Sequence, residues 1–434
     1  MASATARSYD REILRLALPA LGALAAEPLY VLVDTAIVGH IGTTQLAALA
    51  IASTLLVSAF AVFNFLTYGT TAQVARLHGA GQEDEAAEVG AQAQWLALAI
   101  GLVLLVLAVA LAAPLVRLMG GEGEVADQAV LYLRIAALGS PLFMLASAGQ
   151  GFLRGEGDLK TPLVILVCAH AVNVVLELLF VYGFGWGLAG SAWGTVIAQA
   201  AMAAAFVRVQ LRAGWAAPDW VRIRRLMKIG GEIAVRTTAL LGVFLVCSAV
   251  LARVGASAVA AHQIGYQLFL FIALVLDAVA IAGQVLVGRM LGAGDAAGAR
   301  ATAWRMIGWS AVFGAVFSIV LVLGADLLPE VFTDDAAVVD QAASMWPLLV
   351  AMMPFNGAVF ALDGILIGAG DTRFLAVGMV LSAAVAIPIA LLSLSADWGI
   401  AGVWAGLCAF IGVRLATCMT RFVGGRWALT GATV

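Results

Sequence analysis

Charged residues are scarce in this sequence. Asp, Glu, Lys and Arg make up only 11% of the 434 residues, whereas 63% are hydrophobic, and the mean hydropathy is +1.03. A soluble domain carries about 25% charged residues, so this composition excludes a soluble globular protein. It indicates an integral membrane protein.

Reactive residues are also few. The four cysteines lie within apolar runs without the spacing of a metal or redox site, and we interpret them as packing residues: Cys168, Cys247, Cys408 and Cys418. No Ser-His-Asp, HExxH or paired-cysteine pattern supports an enzyme. The glycine loops GEGD and GAGD lack the lysine and the preceding strand of a phosphate-binding loop, so they predict tight turns. We expect no enzymatic activity and no cofactor.

Long apolar runs, in contrast, recur along the whole chain. Each has about 20 residues or more, enough for a helix to cross a hydrocarbon core about 30 Å thick while satisfying its own backbone hydrogen bonds. The sequence therefore predicts an all-α fold with twelve transmembrane helices. The first six spans are 12–38, 46–76, 89–113, 126–150, 161–183 and 187–211, and the second six are 227–252, 258–289, 300–323, 338–368, 373–393 and 397–422.

Basic residues indicate the orientation of these helices. Most of the 23 Lys and Arg lie at the termini or in even-numbered loops, with a cluster between spans 6 and 7. By the positive-inside rule, both termini lie in the cytoplasm, and we expect a multi-pass protein of the cell (inner or plasma) membrane. The first run could instead be a cleavable signal peptide. Cleavage near Ala26 would halve this span, although the corresponding span in the second half of the chain, related to it by the internal duplication described next, is full length.

The sequence contains an internal duplication. When it is shifted by 213 positions, Arg76 of RLHGAGQ falls on Arg289 of RMLGAGD, and the loop GEGDLK falls on GAGDTR. Each repeat has six spans, an even number, so the two repeats run in the same direction through the membrane. The predicted regions are an N-lobe of helices 1–6 (residues 1–211), a cytoplasmic linker (212–226) and a C-lobe of helices 7–12 (227–434).

Two acids lie within apolar runs of the N-lobe, Asp34 in LYVLVDTAIVGHIG and Glu177 in NVVLELLFVYGF. Each lies about 8 to 9 Å from the predicted outer end of its span. Tyr30 precedes Asp34 by four positions and Asn173 precedes Glu177 by four, so each pair shares one helix face. Thr195 of span 6 falls near the same level, and the sequence predicts an oxygen-lined pocket.

Two kinds of ion fit such a pocket. Neighbouring carboxyls in a low dielectric can hold one proton near neutral pH. Alternatively, carboxylate, amide and hydroxyl oxygens are hard ligands for Na⁺, and the candidate ligands are Asp34, Asn173, Glu177 and Thr195. The remaining interpretation is a buried hydrogen-bond cluster without a transport role, although ionisable groups within membranes are usually functional.

Two further residues of span 1 have open interpretations. Pro19 either removes a backbone hydrogen bond and bends helix 1, or lies near the helix start, where proline is tolerated. Glu27 either contacts an organic cation or pairs with Arg134 of span 4, and we slightly favour the pairing.

The C-lobe carries other ionisable residues, because Asp34 corresponds to Cys247 and Glu177 to Ala390. Charged residues in the cytoplasmic half of spans 7, 8 and 10 predict a salt-bridge network, since an unpaired charge in lipid is costly. Its predicted members are Arg236, Asp277 and Asp363. We interpret this network as structural or gating.

Four segments resemble the multidrug and toxic compound extrusion (MATE) transporters, and within them the DinF-like branch. They are VDTAIVGHIG in span 1, VAAHQIGYQ at the start of span 8, LVGRMLGAGD after it and LDGILIGAGDTRFL closing span 10, and the resemblance covers nearly the whole chain. The resemblance implies a coupling site at Asp34, Asn173, Glu177 and Thr195, with Tyr30 adjacent and Pro19 at the bend of helix 1.

The sequence departs from the MATE pattern at two places. Many relatives have Asp where this chain has Glu177, which leaves the choice of coupling ion open. The acid that other branches carry midway along helix 7 is missing, and Val246, Cys247 and Ser248 occupy that region. Coupling through the C-lobe is therefore not expected.

We expect a secondary active antiporter that exports amphipathic or cationic organic compounds by alternating access, with H⁺ or Na⁺ as coupling ion. Candidate residues of the substrate cleft are Glu27, Phe63, Phe65, Tyr68, Phe143 and Phe271. The rivals are a flippase for lipids or lipid-linked precursors, which would need more buried arginines, and an intramembrane enzyme or channel. Expected partners are small organic molecules and membrane lipids, not nucleic acid, and we expect a monomer.

Overall fold

The computed structural model describes residues 2–432, with side chains from Tyr9 onward. Helices account for nearly all of this range, and no β-strand occurs in it. The helices of the first half are α1 (Ala2–Gly39), α2 (Thr43–Val62), α3 (Phe65–Gly79), α4 (Glu83–Leu118), α5 (Gly123–Ala137), α6 (Ser140–Gly155), α7 (Lys160–Leu178) with a π-helical turn (Leu179–Gly183), and α8 (Gly187–Ala213). Those of the second half are α9 (Trp220–Val254), α10 (Ala256–Gly292), α11 (Ala296–Leu323), α12 (Leu327–Phe332), α13 (Ala336–Gly368), α14 (Thr372–Ser395) and α15 (Gly399–Val423).

The predicted number of membrane-spanning helices is confirmed. Within residues 2–432, eleven apolar helical segments are long enough to cross a membrane, and the bent pair α5–α6 makes a twelfth. The second predicted span is two helices, α2 and α3, which meet at Phe63 and Asn64. The short helix α12 lies in the acidic loop after span 9 and was not predicted.

The fourth span is broken where the sequence reads Gly-Ser-Pro. Helices α5 and α6 meet at Leu138 and Gly139 with a bend of 47°. Pro141 lacks a backbone N–H and crowds the carbonyl four residues earlier, and Gly139 adds backbone freedom that disfavours a helix. The corresponding proline of the second half, Pro354, lies inside the unbroken helix α13. Since Met352 stands there in place of Gly139, proline alone does not break the span.

Packing divides the described chain into two units. One unit is Gly22–Gly230, and the other combines the described parts of Met1–Leu21 and Gly231–Val434. In the first unit, α4 and α8 pack against α6, and α7 packs against α8. In the second unit, α10, α11 and α15 pack against α13. The predicted lobe boundaries remain a prediction, because this division follows packing and not the repeat.

The same small-residue helix crossing occurs in both units. Gly151 of α6 lies against the backbone of Thr67 of α3, and Gly364 of α13 lies against the backbone of Ala280 of α10, so closely that a Cβ atom would clash. Both members of each pair are related by the shift of 213 positions seen in the sequence. Small residues let membrane helices approach closely, so the duplicated sequence builds a duplicated helix crossing.

The predicted linker is shorter than expected, because α8 ends at Ala213 and α9 begins at Trp220. The intervening segment, 214–219, is held against α4 within the first unit. Gln92 donates through Nε2 to the carbonyl of Ala217 (2.8 Å) and accepts through Oε1 from the backbone N–H of Asp219 (2.7 Å). The segment is therefore a fixed part of the first unit.

Candidate functional site

The two acids predicted in the N-lobe meet at one serine. Asp34 lies on α1, Glu177 on α7 and Ser191 on α8, with exposed fractions of 7%, 0% and 0%. The hydroxyl of Ser191 lies 2.9 Å from Oδ1 of Asp34 and 3.0 Å from Oε1 of Glu177. Three helices thus bring two carboxyl groups to a single hydroxyl in the interior of the unit.

Counting hydrogens around this serine shows how it can hold a proton. A hydroxyl group has one hydrogen to donate, and an ionised carboxylate can only accept. With both acids ionised, Ser191 can satisfy only one of them. If one carboxyl is protonated, it can donate to the Ser191 oxygen while Ser191 donates to the other carboxylate. The arrangement therefore matches a pair of acids that holds one proton.

A second group of side chains surrounds Thr195. Its hydroxyl lies 3.1 Å from the hydroxyl of Tyr30 and 3.2 Å from Nδ2 of Asn173, and it donates to the backbone carbonyl of Ser191 at 3.1 Å. The amide oxygen of Asn173 and Oε2 of Glu177 are buried without a hydrogen-bond partner. Buried acceptors are nearly always paired, so these two oxygens are available to a cation, a proton or a water molecule.

Helical spacing explains why these side chains converge. Each of the three helices contributes two residues four positions apart: Tyr30 and Asp34, Asn173 and Glu177, and Ser191 and Thr195. Such pairs share one helix face. Gly194 lets α8 approach α7, because a Cβ atom there would lie 3.3 Å from the backbone nitrogen of Glu177. The predicted site residues Tyr30, Asp34, Asn173, Glu177 and Thr195 are brought together in one pocket.

Sequence reasoning missed two members of this pocket. Ser191 bridges the two acids, and it could have been identified from its position four residues before Thr195. Tyr132 of α5 is buried, and its side chain lies beside Ser191 and Thr195. No local sequence signal marks Tyr132, because its place depends on the packing of α5 against α8.

Pro19 lies well inside helix α1, which begins at Ala2. The interpretation that it stands near the helix start is therefore wrong. Its missing N–H leaves the carbonyl of Arg15 without the usual helical donor. The boundary between the two packing units lies shortly after Pro19 in the chain, between Leu21 and Gly22. The predicted bend of helix 1 remains a prediction.

Glu27 lines a separate cavity of the first unit with a volume of about 140 Å³. Its polar and aromatic walls include Asn64, Tyr68, Phe143, Gln150 and Arg154. The favoured pairing of Glu27 with Arg134 is wrong, because Glu27 forms no ion pair among the described residues and Arg134 lines a different cleft.

The other candidate cleft residues are dispersed. Phe63 and Phe65 pack on each other with ring centroids 5.8 Å apart, and Phe65 also lies against Gly230. Phe271 lies on α10 of the second unit and is 64% exposed. The structure thus groups Glu27, Tyr68 and Phe143 in one cavity but not the remaining three aromatic residues.

The buried acid of the second unit, Asp363, is paired with two arginines. Arg236 contacts Oδ2 of Asp363 at 2.5 Å, and Arg414 contacts the same oxygen. Asp363 and Arg414 are both 4% exposed. Arg414, which was not among the predicted members of the network, is thus a second cation bound to Asp363. Asp277 is half-buried on α10, and its membership of the network remains a prediction.

Comparison with known proteins establishes the family. The MatE family model matches residues 19–179 and 233–392, one match in each half of the chain. The chain belongs to the MatE family. Its relatives include Protein DETOXIFICATION 44, chloroplastic, of Arabidopsis thaliana, which is 30% identical over 96% of this chain and 82% of that protein. They also include DNA damage-inducible protein F of Escherichia coli (strain K12), 27% identical over 94% of this chain and 90% of that protein.

Solved structures confirm the MATE fold. A crystal structure of MATE in the bent conformation has a TM-score of 0.87 and 20% sequence identity, with 96% of this chain and 95% of that chain covered. The chain is a multi-pass membrane protein of the MatE family, with one match to the family model in each half. The resemblance seen in the four sequence segments, including DinF among the relatives, is confirmed.

Proposed function

We propose that the protein is an antiporter that exports amphipathic or cationic organic compounds in exchange for an inward-moving cation. The observation that carries this proposal is the Asp34–Ser191–Glu177 cluster, two buried carboxyl groups on one hydroxyl. Neither carboxyl forms an ion pair with a basic side chain of the described residues. An acid pair without a resident cation needs one from solution.

The favoured coupling ion is H⁺. One proton completes the hydrogen bonds of Ser191, as the count of donors and acceptors requires. Na⁺ remains the alternative, because the unpaired oxygens of Asn173 and Glu177 are hard ligands of the kind that Na⁺ prefers. In either case the ion occupies the pocket in one state and leaves it in the other, while the substrate moves the opposite way.

The Glu27 cavity is the proposed contact for part of the substrate. It combines a carboxylate with the rings of Tyr68 and Phe143, and aromatic faces together with an acid suit an organic cation. We place the protein in the cell membrane with both termini in the cytoplasm. The proposed transport involves no covalent chemistry and no cofactor other than the coupling ion. Protease accessibility of terminal tags in intact cells tests this orientation.

Transport in energised membrane vesicles tests the proposal. A fluorescent organic cation is followed with the wild type and with Asp34→Asn and Glu177→Gln, across pH and at several Na⁺ concentrations. We expect accumulation that collapses with a protonophore and is lost in Asp34→Asn. The matched control is Asp340→Asn, which removes an exposed acid of α13 and is expected to leave transport unchanged.

The outcomes separate the alternatives. Transport that follows the Na⁺ gradient and ignores the protonophore assigns the pocket to Na⁺. Translocation of a fluorescent lipid without either ion, with no accumulation of the organic cation, would support a flippase and overturn the antiport proposal. Full coupled activity of Asp34→Asn would refute the assignment of the site.

A further inference from the structure

A cleft of about 310 Å³ lies where α4 ends and α5 begins, apart from the acid pocket and the Glu27 cavity. Its charged walls are Arg117 of α4 and Asp127 and Arg134 of α5. The remaining walls are apolar: Ala113, Ala126, Val130 and Leu131. The proposed transport function uses none of these residues.

The two arginines of this cleft have no protein partner. The side chains of Arg117 and Arg134 form no hydrogen bond or ion pair with another of the described residues, and the side chain of Asp127 forms none either. Both guanidinium groups belong to exposed residues. They therefore face the surroundings of the protein and not its interior.

Position within the span makes an unpaired Arg134 significant. Arg134 lies eight residues, or about 12 Å, into the predicted span 126–150, which is inside a hydrocarbon core about 30 Å thick. Helical side chains lean toward the helix N-terminus, so the guanidinium of Arg134 reaches back toward Arg117 in the last turn of α4. A charge at that depth is costly unless it finds an anion or the interface.

The second half of the chain shows that the helix packing does not need these arginines. The shift of 213 positions places Glu330 at the position of Arg117 and Pro347 at that of Arg134. Asp127 has an acid as its counterpart, Asp340. Since the second half forms its helices without either arginine, the cationic character of the cleft is specific to the first half.

We propose that this cleft binds the headgroup of a phospholipid that carries a primary ammonium, such as phosphatidylethanolamine. The guanidinium groups of Arg117 and Arg134 hold the phosphodiester, for which arginine offers planar paired donors. Asp127 accepts hydrogen bonds from the ammonium. Val130 and Leu131 contact the glycerol and the first carbons of the acyl chains. A choline headgroup has no N–H to donate to Asp127, so the site distinguishes the two lipids.

Native mass spectrometry of the full chain in mild detergent tests this proposal. The protein is mixed with equal amounts of phosphatidylethanolamine, phosphatidylcholine and phosphatidylglycerol, and the lipids retained are compared. We expect phosphatidylethanolamine to be retained preferentially, and the double variant Arg117→Gln, Arg134→Gln to retain it about tenfold less. Asp127→Ala, which leaves no acceptor for the ammonium at this position, is expected to abolish the preference for ethanolamine over choline while phosphate binding persists.

Matched variants keep the test decisive. Arg253→Gln removes an exposed arginine from the last turn of α9 and is expected to retain lipid as the wild type does. If the glutamine variant does not fold, the pair Arg117→Lys, Arg134→Lys keeps the charge and is expected to retain intermediate amounts of lipid. Equal retention of all three lipids, or no loss in the glutamine or lysine pair, overturns the proposal. So does displacement of the lipid by millimolar soluble phosphoethanolamine, which would assign the cleft to a soluble phosphate compound.

Discussion

The two packing units share a scaffold but neutralise their buried carboxyl groups in opposite ways. In the first unit, Asp34 and Glu177 share one serine hydroxyl and have no cationic partner among the described residues. In the second unit, a single acid, Asp363, is held by two arginines. The acids of the first unit therefore lack a basic partner among the described residues, whereas the acid of the second unit is neutralised by arginine side chains.

This contrast separates scaffold from chemistry. The helix crossing at Gly151 recurs at Gly364, so the packing was kept after duplication. The ionisable residues were not kept, since Cys247 and Ala390 stand where the first half has Asp34 and Glu177. A buried acid whose countercharge is built into the protein cannot exchange ions without breaking a salt bridge, whereas an acid pair without one can. We therefore expect the same substitution, acid to amide, to have different consequences in the two units.

The largest effect is expected for Asp34→Asn. An amide in place of this carboxyl removes the group that gains and loses charge, so coupled export should fall to the level of membranes without the protein. Folding should be retained, because the amide still accepts a hydrogen bond from Ser191. Vesicle transport, together with the elution profile of the purified variant in detergent, measures both properties. A folded variant that still accumulates substrate against a gradient would contradict the comparison.

The opposite result is expected for Asp363→Asn. The amide leaves Arg236 and Arg414 facing each other without their shared carboxylate, and removing one member of a buried ion cluster lowers stability by about 3–5 kcal/mol. The measurement is the midpoint of thermal unfolding in detergent, with Asp34→Asn as the comparison in the other unit. Replacing the whole cluster by apolar residues (Arg236→Met, Asp363→Leu, Arg414→Met) is expected to restore much of the stability. If Asp363→Asn unfolds at the wild-type temperature, the cluster is not the structural element described.

A smaller effect is expected for Ser191→Ala, which leaves both acids in place but removes the hydroxyl between them. Coupled transport at neutral pH should slow by about tenfold, the equivalent of one hydrogen bond to a charged group. Ser393→Ala provides the control, because this buried serine of the second unit bonds only to the carbonyl of Ala390 in its own helix. Equal transport rates in the two alanine variants would show that Ser191 does not serve the acid pair.

Much of the fold and of the acid pocket is readable in the sequence. Apolar run length gives the twelve spans, and the repeat gives their grouping, because both depend on local composition and on self-similarity. The pocket follows from three independent quantities, the four-residue spacing of Tyr30 and Asp34, that of Asn173 and Glu177, and the similar depth of the two acids. Each is a property of a single helix, which is why it can be predicted without the tertiary structure.

What could not be predicted depends on how helices rotate against one another. The predicted pairing of Glu27 with Arg134 was wrong, because the sequence does not determine which helix faces meet, and the two residues line different cavities. Ser191 is a small neutral residue of the kind that is common in helix packing, so its contact with both acids emerges only from the structure. Likewise, Arg414 meets Asp363 across α13 and α15, a contact that no local pattern specifies.

The smallest effect concerns two corresponding loops, GEGD at the end of α6 in the first unit and GAGD at the end of α13 in the second. Partial burial, with Asp158 and Glu83 nearby, raises the pKa of Glu156 from 4.5 to about 7, whereas its counterpart is Ala369. Below pH 4.5 the side chain is protonated in both the folded and the unfolded chain. Between pH 4.5 and 7 the unfolded chain loses this proton first, so the stability of the folded protein falls as the pH rises. Because Glu156 is only half-buried, solvent screening limits the loss to about 1 kcal/mol or less.

Glu156→Ala copies the second unit's loop into the first and is expected to remove this pH dependence. The variant should match the wild type in thermal unfolding at pH 4.5 and exceed it slightly at pH 8. Glu85→Ala is the control, because Glu85 is an exposed acid in the first turn of α4 and should not change the pH dependence. If Glu156→Ala is the less stable protein at pH 8, the ionised carboxylate makes a favourable contact, and the two loops differ because the first unit requires an acid there.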